Sequence, residues 1–147
     1  MKVLLVAPVS KASGGIGRWT QHIKSYYELL VVKLVDLKFF DTARCEFIPD
    51  DIAFISRVKL AIKDYRVIIK GFKKILKKEK YNVVHITSSA GIGLLRDLYM
   101  IRLVKKQDSR SIIHFRFGRI PELAEIKNWE WKLLSCVVKK CRPSYCA

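Results

Sequence analysis

Three short segments carry residue types suited to holding an anionic, hydroxyl-rich ligand. The first is Gly14-Gly15-Ile16-Gly17-Arg18, which follows the apolar run Val3 to Ala7 and Pro8. Glycines let the backbone come close to a ligand, and the free N–H groups of a helix start favour an anion. The second is Thr87-Ser88-Ser89-Ala90-Gly91. Its small hydroxyls can cap a helix or bond a sugar or phosphate oxygen, and the two roles can coexist because a helix start has several free N–H groups. The third is His114-Phe115-Arg116-Phe117-Gly118-Arg119-Ile120-Pro121-Glu122. Strand alternation puts His114, Arg116 and Gly118 on one side and Phe115 and Phe117 on the other. A parallel strand is normally apolar on both faces, so a His and an Arg near its carboxyl end stand out. Arg suits planar recognition of phosphate or carboxylate, and His can act as base, donor or orienter near neutral pH.

The elements that must position these segments follow from hydrophobic periodicity. Val3 to Ala7 reads as a buried strand, Ile16 to about Leu30 as a helix, and Leu34 to Phe40 as a second strand with Asp41-Thr42 beyond it. Ala43 to Ile55 is irregular, with Pro49-Asp50-Asp51 as turn material. A long helix spans about Ser56 to Glu79, with Val58, Ile62, Tyr65, Ile69, Phe72 and Leu76 at helical spacing. Asn82 to Ile86 is a third strand, ended by Thr87-Ser88-Ser89, and Gly91-Ile92-Gly93 opens a helix to about Lys106. Ile112 to Phe117 is a fourth strand, broken by Gly118-Arg119-Ile120-Pro121, and a last helix covers roughly Asn128 to Lys140. Its Trp129 and Trp131 cannot share one helical face, so one packs in the core and the other nearer the cleft or solvent. Strands alternating with helices imply an α/β domain with a mainly parallel sheet and helices on both faces, a Rossmann-like three-layer fold over 1–147. Such sheets bind ligands outside the carboxyl ends of the strands, which singles out the loops after Ala7, Phe40, Ile86 and Phe117.

Half of the 147 residues are hydrophobic and the formal net charge is +16, which excludes a disordered chain and favours anionic partners. No apolar stretch reaches the length of a membrane span, and Val3 to Val6 is too short for the centre of a signal peptide. The chain is therefore expected in the cytoplasm. The helix from Ser56 to Lys80 carries Lys59, Lys63, Arg66, Lys70, Lys73, Lys74, Lys77, Lys78 and Lys80. It is either a solvated helix packed on the sheet or, with its stripe buried, one whose basic rim touches an anionic membrane surface at the inner membrane face. Cys136, Cys141 and Cys146 are spaced five apart, and Cys45 stands alone. That pattern matches neither a paired C-x-x-C zinc site nor a disulfide framework, so reduced thiols and no metal site are expected.

Val3 to Pro8, Gly14-Gly15-Ile16-Gly17, Val83-Val84-His85-Ile86, and His114 to Glu122 with Asn128-Trp129-Glu130-Trp131 together resemble the amino-terminal domain of family 4 glycosyltransferases. The segment from His114 to Trp131 is the more specific part of the match. The resemblance implies the GT-B fold, two Rossmann-like domains facing a cleft, and retaining transfer of a sugar from a nucleotide-sugar with no metal and no further cofactor. It implies that Gly14, Gly15, Ile16 and Gly17 approach the donor's phosphates. It places Arg18, Ser88, Ser89, Gly118 and Arg119 on the acceptor side, for a sugar or lipid-linked acceptor in polysaccharide or glycolipid synthesis. His114 and Arg116 are then the candidate catalytic residues, because the place of the family's histidine at the end of the fourth strand holds Arg116, with His114 two residues earlier. The family's second domain, with the base and ribose site and a pair of glutamates, lies outside these residues, so the chain alone is expected to bind rather than turn over.

Two other readings compete. A dinucleotide-binding oxidoreductase domain using NAD(P) would place Asp41 on a ribose, but counting from Gly15 the third fingerprint glycine is replaced by Thr20, and the loop from Pro8 to Gly14 is long. A charge-driven domain for membrane or nucleic acid would bind in a salt-sensitive way and ignore the glycine loop. The chain has no recognised nucleic-acid motif and no cluster of base-stacking aromatics, which ranks nucleic acid last.

Overall fold

The computed structural model describes residues 1–9, 15–32, 34–43, 54–88 and 91–141. Four strands form one sheet: β1 (Lys2–Ala7), β2 (Asp36–Asp41), β3 (Val83–Ser88) and β4 (Arg110–Phe115). Five helices connect or follow them: α1 (Gly15–Leu29), α2 (Phe54–Lys78), α3 (Gly93–Lys105), α4 (Ile120–Ile126) and α5 (Trp129–Cys141). The strand order is β2-β1-β3-β4 and every pairing is parallel.

The central strands are the most apolar. In β1, Leu4, Leu5, Val6 and Ala7 are all buried, as strands covered on both faces must be. Alternation then separates two layers. Leu4, Val6, Val84 and Ile86 face the main core with Ile68, Phe72 and Leu76 of α2, Leu94, Ile101 and Val104 of α3, and Leu134 and Val137 of α5. Each such side chain stabilises the fold by about 1.5–3 kcal/mol through burial. Residues of the opposite parity, His85 and His114 among them, face α1, whose Trp19 touches both. The α/β architecture with helices on both faces is thus present. Tyr27 fixes the end of α1 to β2, its hydroxyl donating to the Val35 carbonyl at 2.8 Å and accepting from the Leu37 N–H at 3.0 Å.

This order creates a crevice. From β1 the chain leaves through α1 toward β2, and from β3 it leaves through α3 toward β4, on the other side. The loops after β1 and β3 diverge at the carboxyl ends of adjacent strands, the switch point where open α/β sheets take ligands.

Several sequence-based expectations need correction. Pro121 does not merely break a strand: it sits in the first turn of α4, where its missing N–H is no loss. The fourth strand is Arg110–Phe115 rather than 112–117, so Arg116 lies just past it. Thr87 and Ser88 belong to β3 and are buried, and neither caps α3, which has no side-chain cap. Ile62, assigned to the apolar stripe of the long helix, is 48% exposed, while Ile68 fills the core instead. Trp131 packs against the core and Trp129 is exposed, as the spacing requires. No helix among the described residues is long and apolar enough to cross a membrane.

Candidate functional site

At the crevice, α1 begins with Gly15, which is exposed, and Gly17, which is buried. A Cβ built on Gly15 meets nothing within 4 Å among the described residues. No acidic side chain occupies the first turn to compete for its N–H groups. Ile16 is half-buried, and its carbonyl accepts the Thr20 hydroxyl at 2.9 Å. Arg18 points to solvent. Gly14 and Ser89 lie outside the described residues.

One turn into α1, Trp19 organises a cluster with β3 and β4. Its ring meets His114 edge-on, with centroids 5.2 Å apart at 87°, and lies 6.1 Å from His85. The two imidazoles are 5.6 Å apart. The parallel register explains their meeting: Thr87 pairs with His114 and His85 with Ile112, so the two histidines are diagonal neighbours on one sheet face. The guanidinium carbon of Arg116 sits 4.7 Å above the Trp19 ring. This cation–π contact holds Arg116 over the ring, and its guanidinium has no carboxylate partner among the described residues. The Arg116 N–H donates to the Ser88 carbonyl at 3.2 Å, which anchors its backbone to the end of β3.

Trp19 and His85 are the members of this cluster that sequence reasoning missed as site residues. The His85 Nε2 is buried with no hydrogen-bond partner among the described residues. Burial first, and then the neighbouring His114, push the His85 pKa below the ordinary histidine value, which favours the neutral ring. A neutral imidazole keeps one nitrogen as acceptor, the form a general base or an orienting acceptor needs.

The remaining candidates have structural partners. The Ser88 side chain is fully buried and its hydroxyl donates to Asp97 Oδ2 at 2.5 Å. Asp97 also accepts from Arg96, with Nη2 at 2.8 Å, and burial pushes the Asp97 carboxyl up against the pull of Arg96 and Ser88. Arg119 donates to Glu130 Oε2 at 3.3 Å, while Gly118 is exposed with open space around it. Glu130, in the first turn of α5, is 5% exposed and accepts the Gly91 N–H at 2.5 Å. Its carboxylate thus holds the loop ahead of α3, where an anionic ligand would otherwise compete. Asn128 aims Glu130 by capping α5, its Oδ1 accepting from the N–H groups of Glu130 and Trp131.

Asp41 also has a defined task. Its Oδ1 accepts the backbone N–H groups of Val9 and Ala43, each at 2.8 Å. It staples the segment after β1 to the segment after β2, which ties up one of the oxygens a ribose would need.

Cys136 and Cys141 are free thiols, and Cys45 and Cys146 lie outside the described residues. Among the described residues no group of three or more His, Cys, Asp or Glu gathers as a metal site. A groove of about 370 Å³ lined by Leu76, Lys77, Lys78, Glu79, Lys80, Gln107 and Asp108 lies at the amino ends of the strands, away from the crevice. Compared with known proteins, the sequence matches no family model and no curated protein.

Proposed function

We propose that this domain binds a nucleotide-sugar and a hydroxyl-bearing acceptor at the switch-point crevice, as the acceptor-side half of a retaining GT-B sugar transferase. The observation that carries the reading is Arg116. It lies over Trp19 of the first turns of α1, unpaired by any described carboxylate, and shares that ring with His114. A guanidinium held over an aromatic ring and free of carboxylate partners is suited to a phosphate or carboxylate oxygen. The helix start adds N–H donors for the same charge. His114, with His85 beneath it, supplies a titratable group next to the anion, where a sugar hydroxyl or leaving oxygen would sit. In a two-domain transferase the base and ribose rest on the other domain, so the proposal is tested by binding rather than by turnover.

The staple made by Asp41 bears on the dinucleotide reading. A ribose hydroxyl taken on Oδ1 would compete with two backbone N–H groups, each a charge-assisted bond worth about 1.5–3 kcal/mol.

The experiment is an amide and indole NMR titration with a uridine diphosphate sugar, with pyrophosphate, and with NAD. Saturable shifts at residues 15–19 and Arg116, weakened tenfold or more by Arg116→Ala and abolished by Gly15→Val, support the proposal. Micromolar NAD binding that disappears in Asp41→Ala would replace it with the dinucleotide reading. Absence of shifts at Trp19 and Arg116 with every phosphate ligand refutes it.

A further inference from the structure

We propose that the solvent face of α2 docks on an anionic lipid bilayer. Between Lys59 and Lys78 this helix exposes eight Lys or Arg side chains against one acidic residue, Asp64. At 3.6 residues per turn all eight fall within an arc of about 140°, and the opposite side is the buried stripe of Ile68, Phe72 and Leu76. The charge therefore forms one flat band about 30 Å long, at 1.5 Å per residue over Lys59 to Lys78.

Two aliphatic side chains stand near the borders of that band, Ile62 at 48% and Val67 at 54% exposure. The neighbouring α3 widens the face. Lys73 Nζ lies 5.2 Å above the Tyr99 ring, and Leu95, Tyr99, Arg102 and Lys106 are also exposed. A basic band bordered by exposed aliphatic and tyrosyl groups suits a headgroup region, where the cations meet lipid phosphates and the apolar tips enter the acyl boundary.

A nucleic acid fits this surface less well. Seven of the eight cations are Lys, point charges without the planar fork that reads bases or grips a phosphate in two bonds. The exposed aromatic beside the band, Tyr99, already has the Lys73 ammonium 5.2 Å above its ring, and Tyr65 lies on the other side of the helix, near the Arg96 guanidinium at 5.9 Å. The exposed aliphatics add nothing to a phosphodiester contact. Docking through α2 also leaves the crevice on the α1 side of the sheet unobstructed, because α1 and α2 cover opposite faces. The inference stands whether or not the crevice binds a nucleotide-sugar.

The test is flotation with vesicles of phosphatidylcholine alone or with about 30 mol% phosphatidylglycerol, in rising salt. Binding is expected only to the anionic vesicles and is expected to vanish by about 0.5 M salt. Each Lys→Gln on the band should weaken it about fivefold, so Lys59→Gln, Lys70→Gln, Lys74→Gln and Lys77→Gln together should weaken it several hundredfold. A control removes the same charge elsewhere through Lys24→Gln, Arg110→Gln, Lys127→Gln and Lys132→Gln, and should change binding less than about threefold. Ile62→Ser with Val67→Ser should weaken vesicle binding while leaving affinity for duplex DNA unchanged. All variants are checked for native circular dichroism and melting temperature. The proposal is overturned if the control weakens binding as much as the band variant, if neutral and anionic vesicles bind alike, or if duplex DNA displaces the vesicles and the Ile62/Val67 change has no effect.

Discussion

The contact between Glu130 and Gly91 should be far more important to stability than the ion pair that shares the same carboxylate. The Glu130 side chain is 7% exposed, and it accepts the Gly91 N–H at 2.5 Å. A hydrogen bond to a charged, buried acceptor is worth about 1.5–3 kcal/mol, and its removal leaves a donor unsatisfied. Arg119 approaches the other oxygen at 3.3 Å, but its own side chain is 56% exposed. Screening and side-chain entropy limit such a pair to about 1 kcal/mol at most. Glu130→Ala is therefore expected to lower the unfolding free energy by about 2–4 kcal/mol, the sum of both terms. Glu130→Gln keeps one carbonyl oxygen for Gly91 but loses the charge and its interaction with the start of α5, and should lose about 1–2 kcal/mol. Arg119→Ala should lose less than about 1 kcal/mol. For a domain of this size the first change corresponds to a drop in Tm of about 6–15 °C. The assay is urea unfolding followed by circular dichroism, with an unchanged m-value as the check that the same transition is being compared. The reasoning is refuted if Arg119→Ala is as damaging as Glu130→Ala, or if Glu130→Ala lowers stability by less than about 0.5 kcal/mol.

Three further outcomes follow from the same geometry. The His85 ring, held below its ordinary pKa, charges more readily once unfolded, so unfolding takes up protons between about pH 6.5 and the lower folded value, and stability falls as pH drops through that window; melting curves from pH 8 to 5, in which His85→Phe should flatten the acid-side loss, check it. Gly91 has φ +76° with open space beyond its Cα, so Gly91→Ala should lose about 1–2 kcal/mol from backbone strain alone, whereas Gly15→Ala, at a helical position with equally open space, should stay within about 0.5 kcal/mol in denaturant titrations. Asp97→Ala leaves the Ser88 hydroxyl and the Arg96 guanidinium, itself only 10% exposed, without their acceptor, and a loss of about 3–5 kcal/mol by chemical denaturation is expected.

Much of the fold was legible because its signals are local. Val3 to Ala7 is apolar at successive positions, and Val83 to Ile86 is so except at His85, as buried parallel strands are, and the helix around Phe72 and Leu76 shows its stripe at a spacing of three and four. The misjudged element, α4, came from reading Pro121 by its most familiar effect, helix and strand breaking, when it also stands readily at a helix start. Ile62 fits the stripe by periodicity, yet it is exposed while Ile68, Phe72 and Leu76 are buried, because tertiary packing decides which turns are covered. Of the candidate site, His114 and Arg116 were conspicuous because polar residues on a buried strand contradict the local pattern. His85 was not singled out, although it breaks the same pattern in β3, because its meaning depends on register with β4. Glu130 and Asp97 were invisible for a similar reason: each looks like an ordinary helical acid, and its partner is known only from the folded chain, 39 residues away for Glu130 and Gly91.

The position of β1 has a consequence for how the chain is made. It is synthesised before the other three strands of this sheet, yet it lies between β2 and β3, and the residues that seal its second edge come 80 positions later, where the Lys2 N–H meets Asn82. At about 5–20 residues per second, a ribosome needs several seconds to deliver them. Throughout that interval Leu4, Leu5, Val6 and Ala7 present an apolar strand with an open edge, the arrangement most prone to pairing with another chain. Such non-local closure also makes for slow folding. Nascent chains stalled before β3 should therefore hold chaperones and aggregate on release, while chains stalled beyond β4 should not.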